Sequence, residues 1–467
     1  MDVSFDRSTP VDPGAAGVRS LSGLLLFSTF VASLGGLLFG FDVAIMSGTT
    51  DALTRVFGLT GLTLGFTIAS APLGTVLGSL VAGKPADVWG RRPMLAVLAV
   101  AYLVSALGCA LAWDWWSLLA FRILGGVAVG AASVIAPLYI AEIAPARYRG
   151  RLVATVQFNI VLGILLAYLS NYVIDRMGLG ENDWRWMLGV QVFPSALFFA
   201  LAFLIPESPR WLVAKGRIDE ARRVLTAIGA DEAVEVELAD IQESLRDSGV
   251  KDDDALFQRA YRKPILLAVA VAAFNQLSGI NAVMYYAPTV IEMAGAGKKA
   301  ALLGAVAIGA VNLVFTMLAM TIIDRFGRRA LMLVGSIGYI LSLSVIAGAF
   351  YAYGSSFSGY GAWIVLGGLL VFIASHAFGQ GAVIWVYISE VFPNRVRAKG
   401  QALGCVTHWV GALAITQTFP MIAEKSGGHA FAFYAAMMVL QLLWVLFVMP
   451  ETKGVPLEEL QKKLGLS

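Results

Sequence analysis

Twelve apolar stretches, each about the length a helix needs to cross a bilayer, alternate with short polar loops along most of this 467-residue chain. Six fall at 21–46, 61–83, 93–112, 116–141, 152–174 and 184–205. Six more fall at 264–291, 300–323, 330–352, 361–389, 400–422 and 428–449. Between the two sets, residues 206–263 are charged and locally helical, as in Ile218-Asp219-Glu220-Ala221-Arg222-Arg223-Val224-Leu225. The pattern predicts an all-α membrane protein of twelve transmembrane helices in two six-helix halves, 21–205 and 264–449. Short helices over 206–263 link the halves on the cytoplasmic side, and residues 1–20 and 450–467 read as cytosolic tails. The first twenty residues lack the apolar region of a cleaved signal peptide.

Composition fits this picture and removes several function classes. Apolar residues make up 58% of the chain before its 49 glycines are added, and charged residues 14%. A soluble domain is about 45–50% apolar with glycine included and about 25% charged. A net charge of +3 gives no reason to expect nucleic-acid binding. Cys109 and Cys405 lie in apolar runs, which argues against a disulfide framework. His376, His408 and His429 show no metal spacing, so neither an enzyme nor a bound cofactor is expected.

Lys and Arg orient the spans. The loops after the second, fourth, eighth and tenth spans carry Lys84, Arg91, Arg92; Arg147, Arg149, Arg151; Arg325, Arg328, Arg329; and Arg395, Arg397, Lys399. Loops on the other side hold only Arg55, Arg176, Lys298, Lys299 and Lys425. Twelve against five places the first set and both termini in the cytoplasm.

Three pairs of landmarks reveal an internal duplication. Asp87-Val88-Trp89-Gly90-Arg91-Arg92 returns as Asp324-Arg325-Phe326-Gly327-Arg328-Arg329, 237 residues on. Glu142…Arg149 returns as Glu390…Arg397 after 248 residues, and Pro206-Glu207-Ser208 as Pro450-Glu451-Thr452 after 244. An even number of spans per half gives both halves the same orientation, about an axis along the membrane normal. That symmetry points to a rocking protein with its ligand at the midplane between the halves.

These residues resemble the sugar porter family of the major facilitator superfamily over nearly the whole chain. The specific matches are Gly83–Arg92, Pro206-Glu207-Ser208-Pro209-Arg210-Trp211-Leu212, Gln276-Leu277-Ser278-Gly279-Ile280-Asn281, Asp324–Arg329 and Pro450-Glu451-Thr452-Lys453-Gly454. Gly40-Phe41-Asp42 and Phe121-Arg122 are similar to the proton-coupled bacterial monosaccharide symporters within that family. The resemblance implies import of a hexose or pentose with a proton, by alternating access, through a monomer in the plasma membrane. A bacterial inner membrane suits the short termini. The expected partners are the sugar, the proton and the lipid bilayer, with H+ as coupling ion. The alternative is a facilitative sugar or polyol uniporter of the same fold; an organic acid or drug carrier and a transporter-like sensor fit less well.

Asp42 and Arg122 are ionisable residues inside expected spans, where a charge costs at least about 2.5–3.5 kcal/mol. Such residues either snorkel, form a static pair, or carry function. On the resemblance they form the proton-coupling pair: Arg122 holds Asp42 ionised in the empty pocket, and protonation of Asp42 frees the arginine.

A neutral polyol needs amides, which both donate and accept, and an aromatic face. The resemblance selects Gln157, Asn275, Gln276, Asn281, Asn312, Trp385 and Trp409 as substrate-binding, and Tyr285 with Tyr286 as the extracellular gate. Read from the residues alone, a buried amide also serves as helix–helix glue, and a tryptophan as packing or interface anchor.

Asn275, Ile164, Gln191 and Ala382 depart from the family pattern. So do His376 and His408, for which packing is the plainer reading. On the cytoplasmic side, Asp87/Arg91, Glu142/Arg149, Asp324/Arg328 and Glu390/Arg397 are expected to pair and to join into a salt-bridge lattice across both halves.

Overall fold

The structure is a computed structural model that describes residues 21–145, 147–229, 234–248, 256–354, 360–393 and 396–453. Among these residues every regular element is a helix. Eleven helical segments are long and apolar enough to cross a membrane. In the first half they are Gly23–Gly48, Gly61–Val81, Arg91–Ala110, Trp115–Ile143, Arg149–Met177 and Gly180–Ala202. In the second they are Arg259–Met293, Lys298–Ile323, Arg328–Tyr353, Gly361–Val391 and Gly427–Phe447. The remaining expected span is the 27-residue helix Arg397–Ala423, which falls short on apolarity. It carries Thr407, His408, Thr416, Gln417 and Thr418, of which His408 lines the site described below. Numbered in chain order with this helix included, these segments are spans one to twelve.

Several spans approach each other at backbone distance, which only glycine allows. A Cβ on Gly40 would stand 1.8 Å from the Ile160 carbonyl oxygen, and one on Gly163 would stand 2.1 Å from that of Leu37. Spans one and five therefore touch main chain to main chain, in the small-residue packing that membrane helices use in place of a hydrophobic drive. Gly40→Ala is expected to lower the melting temperature of the purified protein. Overpacking typically costs about 1–3 kcal/mol, and an unchanged fluorescence-detected melt in detergent would count against this contact.

Two spans are broken rather than straight. Span seven is interrupted at Ser278-Gly279, where Gly279 adopts a left-handed backbone (φ 84°) between helices Arg262–Leu277 and Ile280–Met293. Span ten breaks at Gly379, between Gly361–Phe378 and Gln380–Val391. The breaks aim side chains at the space between the halves without the full i→i−4 ladder.

The halves meet through span two against span eleven and span five against span eight, with span one touching span seven. Moving each partner six spans along turns the first contact into the second. The duplication is thus built into the interface as well as the sequence.

On the arginine-rich face the landmark pairs join into one unit per half. The Glu207 carboxylate accepts from the backbone N–H groups of Arg91, Arg92 and Ser208, capping the free N-terminus of Arg91–Ala110. In the second half Glu451 accepts from those of Arg328, Arg329, Thr452 and Lys453. Gly90 (φ 106°) and Gly327 (φ 88°) make this possible twice over. Their backbone favours glycine, and a Cβ would stand 2.2 Å from Glu207 Oε2 or 2.7 Å from Glu451 Oε2. The copies differ electrically. Burial pushes the Glu207 carboxyl above the usual range against its backbone donors. Glu451 is buried too, but its four N–H donors prevail and hold its carboxyl below that range.

The expected salt-bridge lattice is corrected in two respects. Glu142 pairs with Arg91, not Arg149: Arg91 Nε and Nη2 grip both carboxylate oxygens at 2.9 and 3.0 Å, leaving Arg149 exposed. Glu390 pairs with Arg328 at 2.8 Å and also accepts from Thr452, whereas Arg397 Nε has no hydrogen-bond partner among the described residues. The described pairs Arg91–Asp87, Arg91–Glu142 and Arg328–Glu390 each stay within one half. The reason is geometric: each arginine opens a span whose own half supplies the nearest carboxylate. The side chain of Asp324 lies outside the described residues.

Candidate functional site

A cavity of about 410 Å³ lies between the halves, within the range of small-molecule sites. All seven residues expected to bind substrate line it. Gln157 comes from span five, Asn275, Gln276 and Asn281 from the two sides of the break in span seven, and Asn312 from span eight. Trp385 comes from the second piece of span ten and Trp409 from span eleven. The first half supplies apolar wall, with Phe39, Ile160 and Ile164. The polar wall belongs to the second half apart from Gln157 and Ser133.

The amides at the break are wired together. Asn281 Nδ2 donates to Gln276 Oε1 at 2.6 Å, and Gln276 Nε2 donates to Asn275 Oδ1 at 3.0 Å. Gln276 Nε2 also lies 3.1 Å from His408 Nδ1. A left-handed glycine at 279 is what lets two side chains five residues apart meet across the kink. Trp409 packs on Phe39 at 5.5 Å between ring centroids and is 5% exposed, whereas Trp385 is 39% exposed, presenting an open aromatic face.

His376 and His408 have hydrogen-bond partners, Tyr339 and Gln276, as satisfied packing residues do, and they border the cavity as well. Both line the cavity, and His408 sits between the two tryptophans, 5.0 Å from each ring. Their place in the sequence, near Gly381 and beside Trp409, borders the expected site.

Asp42 and Arg122 stand apart from the cavity. Arg122 Nη1 donates to Asp42 Oδ1 at 2.7 Å, with both residues buried in the first half. Arg122 Nε and Nη2 are buried without a hydrogen-bond partner among the described residues. Buried donors are normally paired, so this guanidinium is only half satisfied among the described residues. Asp42 is next in sequence to Val43, which lines the cavity. One turn of span one therefore faces both sites.

Tyr285 and Tyr286 are buried beyond the cavity, toward the face opposite the arginine clusters. Tyr286 has non-helical backbone (φ −126°, ψ 18°), and its hydroxyl donates to the Thr416 carbonyl of span eleven at 3.0 Å. On that face the halves are tied together. Tyr168 donates to the Met284 carbonyl at 2.6 Å, Thr50 and Thr289 hydroxyls lie 3.2 Å apart, and Lys298 pairs with Asp175 at 2.7 Å. The cavity runs away from these ties toward Val153 and Cys405, near the arginine-rich face.

The comparisons with known proteins agree with this geometry. The family described as "Sugar (and other) transporter" matches residues 28–464. The D-xylose-proton symporter of Escherichia coli (strain K12) is 35% identical, over 94% of this chain and 96% of that protein. The arabinose-proton symporter of Bacillus subtilis (strain 168) is 35% identical over 97% and 98%. The E. coli xylose transporter in its inward open conformation is 35% identical over 94% of this chain and 99% of the solved one, with a TM-score of 0.82. The same major facilitator superfamily protein bound to 6-bromo-6-deoxy-D-glucose gives 0.75 at 34% identity, over 94% and 99%. With twelve helical segments in two related sets, a polar cavity between them, and a match that runs almost end to end, this chain belongs to the sugar transporter family and has the major facilitator fold.

Proposed function

We propose that this protein imports a monosaccharide together with a proton by alternating access. The observation that carries it is the separation of two sites. A cavity of amides and tryptophans lies between the halves, and a buried Asp42–Arg122 pair lies one residue behind its wall. The amides suit a neutral polyol and the tryptophan faces suit its ring C–H surface. Among the described residues the cavity lining holds no Lys or Arg whose charge would favour an organic acid over a sugar. The names of the relatives, a D-xylose-proton symporter and an arabinose-proton symporter, support the same cargo class.

The halves 21–205 and 264–449 act as the rocking bodies, with the arginine-rich face and both termini in the cytoplasm. The ties at Tyr168, Thr50 and Lys298 then close the extracellular side, which agrees with the better match to the inward open conformation. In this state the sugar leaves toward the cytoplasm. Deprotonated Asp42 re-forms its bond to Arg122, and the empty carrier returns. Protonation outside releases the arginine, whose unpartnered Nε and Nη2 can then take up other acceptors.

Purified protein in proteoliposomes is expected to take up a labelled pentose or hexose, and an inward pH gradient is expected to drive accumulation. Uptake that equilibrates without responding to the gradient would make the protein a uniporter instead. Absence of uptake for every pentose, hexose and polyol in the panel would overturn the sugar assignment.

A further inference from the structure

The second half contains a buried chain of polar side chains that the transport cycle above does not use. His376 Nδ1 lies 2.7 Å from the Tyr339 hydroxyl, which lies 3.5 Å from Gln380 Oε1. Gln380 Nε2 donates to Gln441 Oε1, and Gln441 Nε2 donates to Ser336 Oγ at 2.8 Å. Ser336 donates to the Met332 carbonyl at 2.7 Å. Tyr339, Gln380, Gln441 and Ser336 are fully buried, and His376 is the member that reaches the cavity.

The proton count fixes the direction of this chain. A backbone carbonyl only accepts, so the single Ser336 proton goes to Met332. Ser336 Oγ then accepts from the Gln441 amide, and Gln441 Oε1 accepts from the Gln380 amide. That leaves Gln380 Oε1, an acceptor, for the single Tyr339 proton. In the arrangement that leaves Gln380 Oε1 with a donor, the Tyr339 proton goes there, and the Tyr339 oxygen accepts from the N–H of His376 Nδ1. A neutral imidazole protonated on Nδ1 carries a lone pair on Nε2. A Cβ at Gly381 would approach that nitrogen to 3.4 Å, so the glycine keeps open the space beside it, and Gly381 itself lines the cavity.

We propose that His376 is a specificity-determining residue of the transport site. Its Nε2 accepts a hydrogen bond from one hydroxyl of the substrate, and the chain through Tyr339 to Ser336 holds it in the accepting tautomer. The other polar groups of the cavity are largely engaged with each other, Gln276 with Asn275, Asn281 and His408. A fixed acceptor on span ten selects a substrate with a donor at that point. This rests on the reading of the cavity as a sugar site. Tyr339 is a positioning residue, acting only through the imidazole.

Counterflow in proteoliposomes, with the sugar the wild type carries and its monodeoxy and monofluoro analogues, tests the assignment. In the wild type, one ring position is expected to reject both the deoxy and the fluoro analogue, since neither can donate there. In His376→Phe the KM of the parent sugar rises about tenfold, on the order of one lost hydrogen bond to a buried polar group. Discrimination at that one position disappears and the others are kept. His376→Asn is the second variant: its amide keeps a donor toward Tyr339 but has nothing at Nε2, so it loses the same discrimination while remaining folded. Tyr339→Phe weakens the discrimination partly, with the maximal rate kept. Wild-type discrimination at every position in His376→Asn overturns the assignment alone. A wild type that exchanges none of the sugars overturns the transport reading and this assignment with it.

Discussion

Asp42→Asn is expected to abolish accumulation against a gradient while sugar exchange continues. The pair it breaks is buried on both sides, 2.7 Å long, and lies outside the cavity. An asparagine fits the same space and still accepts from Arg122, but it cannot carry the charge that binds and releases a proton. The size of the effect follows from the driving force. One charge crossing about 100 mV releases roughly 2.3 kcal/mol, and about 1.4 kcal/mol is tenfold. A one-to-one symporter therefore supports roughly 50-fold accumulation from the potential alone. In the variant the internal to external ratio should fall to about one, and counterflow should lose its dependence on pH. Removing one partner of a buried pair destabilises by about 3–5 kcal/mol, so the measurement belongs beside a melting curve. A folded Asp42→Asn protein that still concentrates sugar would remove Asp42 from the coupling step.

Much of this was legible in the sequence because lipid imposes a strong rule: an apolar run long enough to cross must cross as a helix. The spans follow from that rule, while the duplication was read from repeated landmarks and the orientation from the Lys and Arg bias. The Gly-Arg-Arg turns were legible as repeats, and so were Pro206-Glu207 and Pro450-Glu451. That Glu207 and Glu451 cap the helices opened by Arg91 and Arg328 was not, because the contact spans 116 residues in one half and 123 in the other. Spacing along the chain cannot show which of several nearby carboxylates an arginine reaches. For the same reason Glu142 looked like a partner for Arg149, which is closer in sequence, when Arg91 holds it.

The site was legible in its residues but not in its wiring. Gln157, Asn275, Gln276, Asn281, Asn312, Trp385 and Trp409 converge on one cavity. Asn275 and Gln276 are neighbours in sequence, and their joint orientation depends on where the helix breaks. Span eleven shows the opposite limit. Its polarity takes it below the apolarity of a typical crossing helix, and that polarity is the trace of His408 and Thr416 facing the interior. His376 could be found in the sequence only as an oddity, since its meaning depends on Tyr339, Gln380 and Gln441 from three other helices.

The centre of the cavity yields the second large effect. Gln276→Ala is expected to raise the KM for sugar by about 10- to 100-fold while leaving the pH dependence of transport in place. Gln276 contacts Asn275, Asn281 and His408 at once, so it holds the polar wall in one arrangement. Truncation removes the amide that the proposed function assigns to a substrate hydroxyl and also leaves Asn281 Nδ2 and His408 without their partner. Each buried group left unpaired costs about 1–3 kcal/mol, and one such loss in the bound state corresponds to roughly 5- to 150-fold in affinity. The maximal rate should change less, because the ties that close the opposite face, Tyr168–Met284 and Lys298–Asp175, do not involve this residue. Gln276→Glu separates size from charge: it fills the same volume, but places a carboxylate where the amide donates to Asn275. Concentration-dependent counterflow at two pH values distinguishes the outcomes. A KM within twofold of wild type in both variants would move the substrate away from the break in span seven. A lost pH dependence with an unchanged KM would instead tie Gln276 to the proton.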